Sequence, residues 1–132
     1  YHMQIEHLAI WVRDLERMRL FYETYFGAAA NDKYVNSRKG FSSYFLSFPD
    51  GGPRLEIMQM TGVADSRNNG TDQFIGLTHL AFSVGNEQAV DTLTEQLRAD
   101  GVTIVGEPRR TCGGHYESVV LDPEGNQLEL TA

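Results

Sequence analysis

Apolar and polar positions alternate over Ile5–Val12 and again over Leu77–Val84, a period of two that predicts a strand at each. The period then lengthens to that of a helix. Leu15, Met18, Phe21, Tyr22 and Tyr25/Phe26 recur at helical spacing behind Asp14, a candidate N-cap, and stop at Gly27. Further on, Asn86 and Gly101 bracket a second stripe of Ala89, Val90, Leu93 and Leu97. Strand-like segments follow each helix. They are Ala29–Tyr34, Phe41–Phe48 and Leu55–Met60 after the first, then Thr103–Pro108, Tyr116–Leu121 and Gln127–Thr131 after the second.

The two halves share letters as well as rhythm. Glu6-His7-Leu8-Ala9-Ile10-Trp11-Val12 matches Thr78-His79-Leu80-Ala81-Phe82-Ser83-Val84, and Arg54-Leu55-Glu56-Ile57 matches Gln127-Leu128-Glu129-Leu130. Both echoes keep their order, so the chain reads as one unit written twice. The expected fold class is α+β, with two tandem βαβββ modules. Module boundaries of 4–61 and 76–132 are expected within a single domain over residues 3–132. A segment rich in Asn, Gly, Asp and Ser, Thr61–Thr78, joins them. One helix covers only one face of its sheet, which leaves the other for a second unit or a ligand.

Alternation also says where the polar residues point. Leu8, Ile10 and Val12 form the packing face of the first strand, so His7, Ala9 and Trp11 oppose them. By the same reading His79, Glu56, Met58 and Glu129 turn away from the helices. One histidine or one glutamate on a strand is usually a solvent-facing residue. Here both recur at equivalent positions, and two imidazoles with two carboxylates suit a divalent cation. The mixed nitrogen and oxygen set favours Zn, Ni, Fe or Mn over Ca.

Composition narrows the partners. Of 132 residues, 41% are hydrophobic and 22% charged, the balance of an ordinary globular protein. The net charge of −7 disfavours nucleic acid and anionic lipid as partners. No apolar run approaches the roughly 20 residues of a membrane span. Cys112 is the one cysteine, which excludes an internal disulfide and suits the cytoplasm. Tyr1-His2-Met3 reads as an expression scar followed by the native start, so His2 is set aside, and no secretion signal is expected.

From Ile5 to Thr131 the sequence resembles the vicinal oxygen chelate superfamily, and within it the glyoxalase I (lactoylglutathione lyase) branch. The resemblance rests on His7-Leu8-Ala9-Ile10 with Val12-Arg13-Asp14-Leu15, Phe21-Tyr22 with Phe26-Gly27, and Leu55-Glu56-Ile57. It continues through Gly76-Leu77-Thr78-His79-Leu80-Ala81-Phe82 and Asp122-Pro123-Glu124-Gly125-Asn126-Gln127-Leu128-Glu129-Leu130. It implies the glyoxalase/bleomycin resistance/dioxygenase fold. It also implies a metal held by His, Glu, His and Glu in that order, here His7, Glu56, His79 and Glu129. Zn or Ni is the metal implied, with Mn or Fe as the other choices. The sequence departs from glyoxalase I where glutathione is held. Trp11 and Met60 stand in place of an Arg and an Asn of that branch, and Cys112 in place of a Lys. Glutathione use is therefore left open.

The implied chemistry is proton transfer through a metal-bound enediolate, a lyase or isomerase reaction. Glu129 would be the base and Glu56 its near-symmetric counterpart. Trp11, Met58, Met60 and Phe45 are candidates for an apolar substrate wall, and His115, in the Cys112–Glu117 loop, for a polar substrate contact. The expected partner is a small molecule with vicinal oxygens, bound by a homodimer. The alternatives are another vicinal oxygen chelate enzyme (a dioxygenase or an epimerase) or a small-molecule-sequestering resistance protein.

Overall fold

The computed structural model describes residues 2–132. It divides into two compact units, one running to Asp65 and one from Ser66 to Ala132. Each is a mixed sheet with one helix. In the first, the elements run β1 (His7–Trp11), α1 (Leu15–Phe26), β2 (Ala29–Ala30), β3 (Tyr34–Asn36), β4 (Phe41–Ser47) and β5 (Arg54–Met60). In the second they run β6 (His79–Ser83), α2 (Glu87–Ala99), β7 (Ile104–Arg110), β8 (Tyr116–Leu121) and β9 (Gln127–Thr131). The sheet orders are β1-β5-β4-β2, with β3 also on β4, and β6-β9-β8-β7. In both, the first strand lies parallel to the last and the remaining pairs are antiparallel. The α+β fold of two repeated modules is thus the one expected. No helix among the described residues is long and apolar enough to cross a membrane.

The helices start and stop for local reasons. The Asp14 side chain accepts from Arg17 N–H, and Gly27, at φ +66°, closes α1 in the left-handed region. The Asn86 side chain accepts from Ala89 N–H at the start of α2. α1 buries Leu15, Met18, Phe21 and Tyr22 against Leu46, Leu55 and Ile57, and α2 buries Val90 and Leu97 against Val120, Leu128 and Leu130. A tyrosine hydroxyl ties sheet to helix in both modules. Tyr44 donates to Glu16 (3.0 Å) and Tyr116 to Asp91 (2.6 Å).

Three expectations need correcting. The segment Ala29–Tyr34 is not one strand but the pair β2 and β3, both on β4. Between Ala30, opposite Leu46, and Tyr34, opposite Ser43, three residues face two on β4, so one is extra. Asn31 absorbs the irregularity by accepting from Phe45 N–H through its own side chain (2.8 Å). The second correction lies in α2, whose buried stripe is Val90, Thr94 and Leu97, with Leu93 only half-buried. Thr94 is fully buried because its hydroxyl is satisfied: it donates to Val90 C=O (2.6 Å) and lies 2.7 Å from the equally buried Ser118 Oγ. β7 also runs on past its expected end at Pro108, to Arg110. It is an edge strand with register shifts around Gly106 and Arg109, where a proline is tolerated.

The Thr94–Ser118 pair yields a stability prediction. Thr94→Val should lower stability by about 1–3 kcal/mol, because Ser118 keeps a buried hydroxyl without its partner. Adding Ser118→Ala should return part of that loss, as read by urea denaturation. Additive losses would show that the two hydroxyls are not coupled.

Candidate functional site

The face of each sheet opposite its helix carries the polar residues singled out in the sequence. On the first sheet, register sets Ala9 beside Glu56 and His7 beside Arg54 across the parallel β1–β5 pair. His7 therefore lies diagonal to Glu56, with Nε2 3.8 Å from Oε1. On the second sheet Ala81 pairs with Glu129 and His79 with Gln127, and the same diagonal brings His79 Nε2 to 3.3 Å from Glu129 Oε1. The carboxylates are the more sheltered partners, their side chains 17% and 20% exposed against 39% and 36% for the histidines. The structure thus sets the four predicted ligands as two matching His–Glu pairs, one in each unit. Among the described residues, neither module gathers three His, Cys, Asp or Glu side chains that could hold an ion.

The faces differ around these pairs. On the first sheet Trp11 is opposite Met58 and Phe41 opposite Met60, so Trp11, Met58 and Met60 do share the face of Glu56. Phe41 meets Trp11 edge to face at 6.1 Å and Tyr34 at 5.9 Å. Neither Phe41 nor Tyr34 was singled out in the sequence; Tyr34 opens β3 just after the extra residue near Asn31, and Phe41 shares the face of Met60. On the second sheet the corresponding end of the face is polar, with Ser83 beside Thr131 and Thr131 opposite Glu117, while Val119 and Leu121 lie opposite Glu129 and Gln127. His115 stands apart. It lies in the exposed turn before β8, four residues from Val119, the residue opposite Glu129. At about 3.3 Å per residue that is roughly 13 Å along the strand. The structure does not bring it to the His79–Glu129 pair.

A charged cluster beside His7 had no clear signal in the sequence. Arg54 clamps Glu6 with two bonds, Nε to Oε2 (2.9 Å) and Nη2 to Oε1 (2.6 Å). Glu6 Oε1 also lies 2.9 Å from His7 Nδ1. Arg54, and after it His7, hold the Glu6 carboxyl far below its ordinary value, at about 2. The ring of Phe45 supports both partners, with the guanidinium 4.2 Å over its centre and the imidazole edge-on at 5.1 Å.

The segment leading into the second module closes one end of its face. Gln127, paired with His79, donates to Gly70 C=O (2.7 Å). Gly70 is buried at φ +87°, and a Cβ there would stand 2.8 Å from Leu121 Cδ1.

The model of the Glyoxalase/Bleomycin resistance protein/Dioxygenase superfamily matches residues 4–130. The chain belongs to that superfamily. Its relatives include a lactoylglutathione lyase of Arabidopsis thaliana, 33% identical over 130 residues, which are 94% of this chain and 42% of that protein. The superfamily member described here thus spans under half the length of that enzyme. An uncharacterized protein of Pseudomonas aeruginosa is 27% identical over 96% of this chain and 86% of its own length. Among solved structures, glyoxalase I from Zea mays superposes with a TM-score of 0.75 at 26% identity, covering 97% of this chain and 44% of that one. A domain of the same superfamily from Frankia sp. reaches 0.81 at 20% identity over 99% and 98%, a likeness of fold alone.

Gly70 offers a test of the strap. Gly70→Ala should cost about 1–3 kcal/mol through a left-handed backbone and the clash with Leu121. Hydrogen exchange should quicken over residues 66–74 first. Protection equal to the parent's would show that Gly70 does not pin the segment.

Proposed function

We propose that this superfamily member is a divalent-metal-dependent, glyoxalase-like lyase or isomerase acting on a small molecule with vicinal oxygens. His7, Glu56, His79 and Glu129 are its protein ligands. The observation that carries the reading is the His–Glu diagonal, built twice on the same register. A diagonal made once on an exposed sheet face would be ordinary; made twice, with the same residue types, it points to one chemistry.

The donor set fits such an ion. Two ligand atoms each about 2.1 Å from one metal stand about 3.0–3.4 Å apart at angles from octahedral to tetrahedral. The His79–Glu129 separation of 3.3 Å is within that span, and His7–Glu56 at 3.8 Å needs only a small side-chain rotation. Imidazole nitrogen with carboxylate oxygen suits Zn or Ni, with Mn or Fe as further choices. When bound, the ion supplies Lewis acidity to the oxygens of the substrate.

The chain's own groups do the rest. Glu129 takes the proton from a substrate carbon on a carboxylate oxygen and returns it to the neighbouring carbon. Glu56, its counterpart in the repeat, shares that work. Trp11, Met58 and Met60, on the face of Glu56, are the candidate apolar contacts for the substrate. Lactoylglutathione lyase activity is the first to assay, given the Arabidopsis relative. Trp11 and Met60 provide no charged clamp for the glutathione carboxylates, so hemithioacetals should be screened beside other α-oxo substrates. The lone, exposed Cys112 accords with work in the cytoplasm.

Elemental analysis and turnover test this reading together. The purified protein should hold a divalent ion, and Glu129→Gln should keep it more weakly while kcat falls by about 10²–10⁴. Glu56→Gln added to Glu129→Gln should remove the remaining activity. A double variant that binds metal and turns over like the parent would refute proton transfer by these carboxylates. A parent that holds no metal would favour a sequestering role.

The assembly is proposed to be a homodimer, as expected for modules with small cores. Sedimentation equilibrium at micromolar concentration should give twice the chain mass. A mass of one chain would refute it.

A further inference from the structure

His7 and His79 are equivalent in the repeat, yet they are not held alike. An ionised carboxylate only accepts hydrogen bonds, so the 2.9 Å contact between Glu6 Oε1 and His7 Nδ1 requires the proton on Nδ1. In the neutral ring that leaves Nε2 bare, and Nε2 faces Glu56 Oε1 at 3.8 Å. Two acceptors turned toward each other need a donor or a cation between them: a proton, a water's O–H groups or a metal ion. Glu6 cannot easily swing away, because Arg54 grips both of its oxygens and itself lies over Phe45, against which the His7 ring also rests. The second module has no counterpart. Thr78 stands in the place of Glu6, and Gln127 in the place of Arg54 donates instead to Gly70.

We infer that Glu6, clamped by Arg54, is a positioning residue that presets His7 in the Nδ1–H tautomer with Nε2 free toward Glu56, a lock that the second pair lacks. The inference rests on His7 being a ligand, as proposed above. Outer partners of this kind orient ligand histidines, and their loss typically weakens metal binding by 10–100-fold.

Histidine-labelled protein, stripped of metal, can be read by ¹⁵N NMR at about pH 8.5, where an ordinary imidazole is neutral. His7 in the parent should show the Nδ1–H pattern. In Glu6→Ala it should move toward the free-imidazole mixture while His79 stays unchanged, which serves as the control for folding. Glu6→Gln keeps an accepting oxygen and should retain the parent tautomer. In parallel, Zn(II) titration should give about tenfold weaker binding for Glu6→Ala and near-parent binding for Glu6→Gln. An unchanged His7 tautomer in Glu6→Ala overturns the inference, and so does a shifted tautomer with unchanged Zn(II) affinity. A parent that takes up no Zn(II) removes the metal reading instead, while the tautomer comparison still decides whether Glu6 locks His7.

Discussion

In each module the first strand lies parallel to the last, and that pairing decides which side chains the helix covers. Leu8 beside Leu55 and Ile10 beside Ile57 give α1 an apolar floor, as Leu80 beside Leu128 and Phe82 beside Leu130 do for α2. The side-chain period is two, so the same register sends Ala9 with Glu56, and Ala81 with Glu129, to the far face. A slip of one residue would expose Leu55 and Ile57, each worth about 1.5–3 kcal/mol of burial, and press a carboxylate against the helix. The core and the site are therefore secured by one choice of register. The alanines matter too, because a small side chain leaves room for the histidine two residues earlier to reach its glutamate across the strand.

The two modules keep this frame and differ in what surrounds it. The first sheet offers Trp11, Phe41, Met58 and Met60; the second offers Ser83, Thr131 and Glu117 at the ends of its strands. A repeat preserves what the backbone pairing needs and leaves the exposed face free to vary.

Much of the fold was legible because both helices and the four strands of the parallel pairs follow clean periods, and because the repeat checks each half against the other. The His–Glu pairs were legible for the same reason. What escaped lies where periodicity stops. Three residues facing two at Asn31 broke one expected strand into two, and a polar letter hid Thr94 from the buried stripe although its spacing from Val90 and Leu97 was right. Glu6 falls within the expected strand Ile5–Val12, but β1 begins only at His7, so the alternation does not set which way its side chain points. Arg54 lies just ahead of the expected strand at Leu55, so its facing could not be read either. Glu6 thus precedes the observed strand and Arg54 the expected one, and alternation fixed the facing of neither.

The clamp is best understood as geometry rather than as stability. Arg54 and Glu6 are well exposed, at 37% and 59%, and a surface ion pair contributes little to folding. Its effect is on a neighbour. A histidine at 39% exposure on a strand end has freedom to turn its ring and to place its proton on either nitrogen. The edge contact with Phe45 limits the turn, and the Glu6 acceptor chooses the nitrogen. Arg54, paired with His7 across β1 and β5, binds Glu6 through its side chain and Glu6 C=O through its own N–H (2.9 Å). The strand pairing that sets the diagonal thus also anchors the group that orients its histidine.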